Sequence, residues 1–167
     1  MAGMASQLVK TYAMTSPYTR YIATETTFSI VINVVISALF MVLVFGRSNG
    51  IELWGGHGLA VDFIPQTFMI TAMSVLVPTL LTRQRIKRGV LVRSPGERPR
   101  LLGNLALRVV AIAIVMTVAL GAIAVLILNA LWTRPLGFWE AFPMKLLYGA
   151  VVALIATPIG LYIALSE

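Results

Sequence analysis

Asp62 and Glu140 are the acids whose surroundings suggest chemistry. At an offset of 78 residues, Asp62-Phe63-Ile64-Pro65 falls on Glu140-Ala141-Phe142-Pro143, an acid, an apolar pair and a proline. Two acids in equivalent places could hold a cation or relay a proton between them. The same pattern is also what a helix start requires. Acids favour the positive end of the helix dipole, and proline is tolerated in the first turn. Capping is the reading we expect for both. Lys145 lies five residues beyond Glu140 and either pairs with it or extends its ammonium toward lipid headgroups, with snorkelling expected. Asn33 and Ser37, four apart, share a helix face and are placed to meet Thr71 or Ser74.

Other chemistry has little to work with. The chain has no cysteine and one histidine, His57, set in Gly55-Gly56-His57-Gly58. Thiol catalysis and thiolate metal sites are excluded, and a lone histidine makes a poor metal or haem site. Nucleophile-and-base sets need histidine, cysteine or clustered acids. The chain is therefore read as a non-enzyme without a cofactor.

Around these residues the chain is overwhelmingly apolar: 59% hydrophobic, 11% charged, mean hydropathy +0.91. Uncharged gaps run from Glu25 to Arg47 (21 residues), Asp62 to Arg83 (20), Arg108 to Arg134 (25) and Lys145 to Glu167 (21). Roughly 20 apolar residues cross the hydrocarbon as a helix, so each gap holds one span. The expected spans are 27–46, 64–82, 108–131 and 144–165. The first follows a polar segment without a small-residue cleavage site, so it is read as a retained helix and not a signal peptide.

Arginine and lysine placement sets the expected orientation. The N-terminal segment, central loop and C-terminus carry ten basic residues and the opposite side three. This puts both termini and the central loop in the cytoplasm and points to a bacterial inner membrane. Trp54, Trp132 and Trp139 all fall on the other side, where interfacial indoles are common. The run Arg83-Gln84-Arg85-Ile86-Lys87-Arg88 reads as a topology anchor on lipid headgroups. It lacks aromatics that would stack on bases, which argues against nucleic acid.

The offset of 78 also brings Leu53-Trp54 onto Leu131-Trp132. Pro78 answers Pro158 at an offset of 80. The chain is therefore read as an all-α membrane protein of two tandem, parallel helical hairpins. A cytoplasmic segment (1–26) precedes the first hairpin (27–82), and a basic linker (83–107) leads to the second (108–167). Small residues recur every four positions in the second hairpin: Ala113, Thr117 and Gly121, then Gly149, Ala153 and Thr157, with Ala156, Gly160 and Ala164 beside them. Such stripes allow close backbone approach between membrane helices. They predict a tight pairing of the third and fourth helices, with a stripe left for a partner. Pro78 and Pro158 predict kinks.

The duplicated hairpin resembles small uncharacterised bacterial inner-membrane proteins built from one or two copies of a two-span unit. The likeness rests on Trp139, Glu140 and Pro143, and on Pro78 followed by Arg83 and Arg85. The second copy departs from it, because no basic residues follow Pro158. The resemblance implies no activity. The functional expectation is an accessory subunit of a membrane complex, partnered by lipid and by a second copy or another membrane protein. The alternative is a small homo-oligomeric transporter or channel.

Overall fold

A computed structural model describes residues 2–46, 50–56, 58–93 and 104–166, with side chains from residue 18 onward. His57 and Arg47 lie outside the described residues, as do residues 94–103 of the basic linker. Among the described residues the chain forms four α-helices: α1 (Ala2–Phe45), α2 (Leu59–Lys87), α3 (Leu105–Leu131) and α4 (Phe138–Ser166). Each contains a segment long and apolar enough to cross a membrane, that of α1 being Tyr18–Phe45. This is the arrangement of a multi-pass membrane protein. Large apolar side chains such as Phe28, Leu39, Val115 and Leu126 point outward, as lipid-facing surfaces require.

Helix boundaries differ from the charge gaps for a local reason. α2 and α4 begin at Leu59 and Phe138, so Asp62 and Glu140 sit inside their first turns. Gly58, before α2, admits no side chain: a Cβ there would lie 2.7 Å from the Leu53 carbonyl oxygen. α3 starts at Leu105 because the Asn104 side chain accepts the Ala106 N–H at 2.9 Å.

The helices do not pair as successive hairpins. α4 packs against both α1 and α2, and α3 packs against α2. The expected tight α3–α4 pairing is therefore corrected. Both small-residue stripes of α4 are buried inside the bundle, and neither is left for a partner. A Cβ on Gly160 would meet the Val75 Cα of α2 at 2.9 Å, and one on Gly149 would meet the Ser37 Oγ of α1 at 2.5 Å. These glycines let α1 and α2 close on α4. On α3, Ala113 is buried and Thr117 donates back to the Ala113 carbonyl at 2.7 Å. The Cβ position of Gly121 meets open space, so it mediates no close approach.

At the tryptophan end the two loops are joined. Ile51 and Leu136 exchange backbone hydrogen bonds of 2.8 and 2.9 Å in an antiparallel bridge. Beneath it Met41, Leu59, Phe63, Leu128, Leu136 and Phe138 form the largest apolar cluster.

Gly160→Leu should therefore lower the unfolding midpoint in detergent sharply, since overpacking costs about 1–3 kcal/mol or more, while Gly121→Leu should leave it nearly unchanged. Equal melting of the two variants would remove the close α2–α4 approach as the reason.

Candidate functional site: a polar seam closed by an ion pair

The residues that might act are positioned by one row on α1. Tyr21, Glu25, Ser29, Asn33, Ser37, Met41 and Phe45 recur every four residues, an oblique ridge on the helix surface. Each described member turns toward α2 or α4. Starting from the basic end, Tyr21 shares a 2.9 Å hydrogen bond with Thr82, and Glu25 pairs with Arg85, whose guanidinium lies 5.3 Å over the Tyr21 ring. At mid-depth Asn33 Nδ2 donates to the Ser29 carbonyl at 2.8 Å and to Ser74 Oγ at 3.2 Å. Thr157 donates to Ser29 Oγ at 2.8 Å. Pro78 has no N–H to offer the Ser74 carbonyl, so the helix loosens its own bonding beside this cluster. Further on, Gln66 Nε2 donates to Ser37 Oγ at 3.2 Å and to the Lys145 carbonyl at 3.4 Å. Glu25 to Ser37 is 12 residues, about 18 Å along the axis.

The seam ends at Lys145 and Asp62. Lys145 is 1% exposed, and its Nζ donates to Asp62 Oδ2 across the α2–α4 interface. The Phe45 ring stands 5.1 Å from the ammonium. Tyr148 stacks on Phe63 at 4.3 Å and hydrogen-bonds Thr67, walling the pair from the side. The snorkelling expected of Lys145 is thus corrected. Its stem points into the bundle, because a carboxylate is available there and lipid offers none.

The two acids that looked equivalent play different parts. Glu140 is exposed. It accepts the Gly137 N–H at 3.0 Å and takes Arg134 bidentately at 2.7 and 3.1 Å. That is the reach-back of a capping box, and the carboxylate pushes the Arg134 guanidinium pKa further up by hydrogen bonding. Asp62 caps nothing: Gly58 precedes α2 with no side-chain cap, and the Asp62 carboxylate is turned to Lys145. The structure does not bring Asp62 and Glu140 together.

Three buried polar atoms along the seam have no protein partner: Thr26 Oγ1, Thr71 Oγ1 and Gln66 Oε1. Thr71, expected beside Asn33, makes no side-chain hydrogen bond. Among the described residues no three histidines or acids gather as a metal site. Of the basic run, Arg85 is engaged by Glu25, whereas Arg83 and Lys87 face a separate pocket with Arg93. Sequence reasoning found Asn33 and Ser37 but not Glu25, Ser29, Gln66 or Thr157. Extending the four-residue spacing from Asn33 along α1 would have reached Ser29 and Glu25.

Removing one member of the pair leaves a buried charge, so Asp62→Asn or Lys145→Met should each destabilise the protein by about 3–5 kcal/mol. The double variant should recover much of that loss, and Glu140→Gln should have little effect. Denaturant titration in micelles checks all four, and additive losses in the double variant would contradict coupling of the pair. No protein-family model, curated protein or solved structure matches this chain, so the functional reading rests on its own residues.

Proposed function

We propose that this chain is a non-catalytic structural or accessory subunit of a bacterial inner-membrane complex, with both termini cytoplasmic. The observation that carries this reading is a groove between α1 and α2. The backbones of these two helices stand apart, because each packs on α4, and the polar side chains of the seam bridge between them. The trough between them has a volume of about 610 Å³. Its walls are apolar, with Ile32, Phe40, Met69 and Met73, while Ser29, Asn33 and Ser74 lie along its floor. An apolar cleft with polar groups at mid-depth fits a membrane helix that brings its own small or polar side chain. Such a helix comes from a second copy or from another membrane protein.

Two features support a duplicated two-helix segment, whose first helix packs on the other copy and not on its own neighbour. α2 and α4 are each 29 residues long with two internal prolines. α1 packs across onto α4 as α3 packs across onto α2. The resemblance to small duplicated inner-membrane proteins agrees with that plan.

The transporter reading keeps a specific observation in its favour. The seam links Glu25 and Arg85 near one membrane surface to Asp62 and Lys145 near the other, and its unpartnered hydroxyls and amide oxygen offer sites to water. In that case Ser29→Ala with Asn33→Leu would abolish proton or cation flux in liposomes.

Docking is tested by filling the groove. Met73→Trp should release the partner or dissociate the homo-oligomer in native mass spectrometry of gently extracted protein, with the helical content unchanged. An unaltered complex would exclude the groove as its interface. Orientation is tested directly because the chain has no cysteine. A single cysteine at Glu52 should react with an impermeant maleimide outside the cell, and one at Arg88 should not.

A further inference from the structure

The floor of the groove between α1 and α2 has hydrogen-bonding capacity that the fold leaves unspent. Asn33 is 6% exposed and lines that groove. Its Nδ2 donates to the Ser29 carbonyl at 2.8 Å and to Ser74 Oγ at 3.2 Å, which uses both of its hydrogens. Its Oδ1 accepts from no group among the described residues. The serines leave a donor over in the same way. Ser29 Oγ and Ser74 Oγ share one bond of 3.2 Å, and Ser29 Oγ also accepts from Thr157 at 2.8 Å. Whichever serine donates in the shared bond, the hydrogen of the other has no acceptor among the described residues.

Helix packing alone does not call for these groups. At the offset of 78 residues, Ser29, Asn33 and Ser74 fall on Leu107, Ala111 and Val152. One acceptor and one donor thus stand on adjacent side chains at mid-depth, where lipid satisfies neither.

We infer that the groove takes a helix of a different membrane protein, and that this helix carries an asparagine or glutamine at the depth of Asn33. The inference rests on the groove being a helix-docking site and names what docks there. A carboxamide offers an N–H to Asn33 Oδ1 and a carbonyl to the serine hydrogen. Serine and threonine match it poorly, because in a helix their hydroxyl hydrogen returns to the carbonyl four residues back, as those of Thr67 and Thr117 do here. A charged side chain would find no counter-charge on the floor at that depth. A second copy does not supply the group. The uncharged spans of this chain hold three carboxamides: Asn33 itself, Gln66, which is turned to Ser37, and Asn129, two residues from the end of α3.

The test uses the full chain in lipid vesicles, with a dye on a single cysteine at Glu52. The probes are two labelled peptides at low peptide-to-lipid ratio, a polyleucine membrane helix with one central asparagine and its all-leucine counterpart. By energy transfer, the asparagine helix should bind about fivefold or more tightly than the leucine helix. Asn33→Leu should erase that difference without weakening the leucine helix. Should this variant fail to insert, Asn33→Thr keeps the bond to the Ser29 carbonyl through its own hydroxyl and should erase it too. A preference that persists in the inserted variants would overturn the inference. Equal binding of both peptides, abolished by Met73→Trp, would also overturn it while leaving the groove a helix site. Binding of neither peptide would overturn docking and inference together and leave the groove to lipid. A homodimer in native mass spectrometry that Met73→Trp dissociates would overturn the choice of a different protein.

Discussion

Lys145 holds its ammonium on the inner wall of α4, the helix against which α1 and α2 both pack. An unpaired charge there would be far costlier than any apolar contact it displaced, so α2 must present Asp62 at that height. Once α2 is held in that register, Gly160 meets Val75, Gln66 reaches the Lys145 carbonyl, and Phe63 lies on Tyr148. The pair adds little net stability, since taking two charges out of water is expensive. What it supplies is register: sliding α2 by one turn against α4 would strand both charges.

The same interface explains how the bundle tolerates so many hydroxyls and amides. Residues such as Ser29, Asn33, Ser74 and Thr157 satisfy one another because glycine and alanine on α4 let three helices converge. Where the convergence stops, between α1 and α2, the cleft opens to lipid and the polar floor lies just behind it. The tight side and the open side of the molecule thus have one cause, the central position of α4.

The number and approximate limits of the membrane helices were legible in the sequence, because lipid punishes charge so strongly that its absence marks a span. Residues at the helix starts were harder to read. Asp62 and Glu140 share a motif, yet only Glu140 behaves as the motif suggests. What separates them is a partner 83 residues away from Asp62, a relation local sequence does not carry. Helix pairing was missed for a similar reason. Small residues announce that a helix will be approached closely, but both α2 and α3 were possible neighbours of α4. The four-residue row on α1 was legible but partly hidden, since its hydroxyls lie scattered among isoleucine and valine.

The long reach of the seam bears on biogenesis. Ser29 receives its hydrogen bond from Thr157, 128 residues further along the chain. At about 5–20 residues per second of synthesis, α1 waits roughly 6–25 s in the bilayer before that donor exists. During this interval its serine and asparagine row has no finished bundle to enter. An insertase or a lipid-facing chaperone that shelters polar stripes would act in this window. The first two helices therefore stand in the bilayer with their polar row unfinished until the fourth emerges.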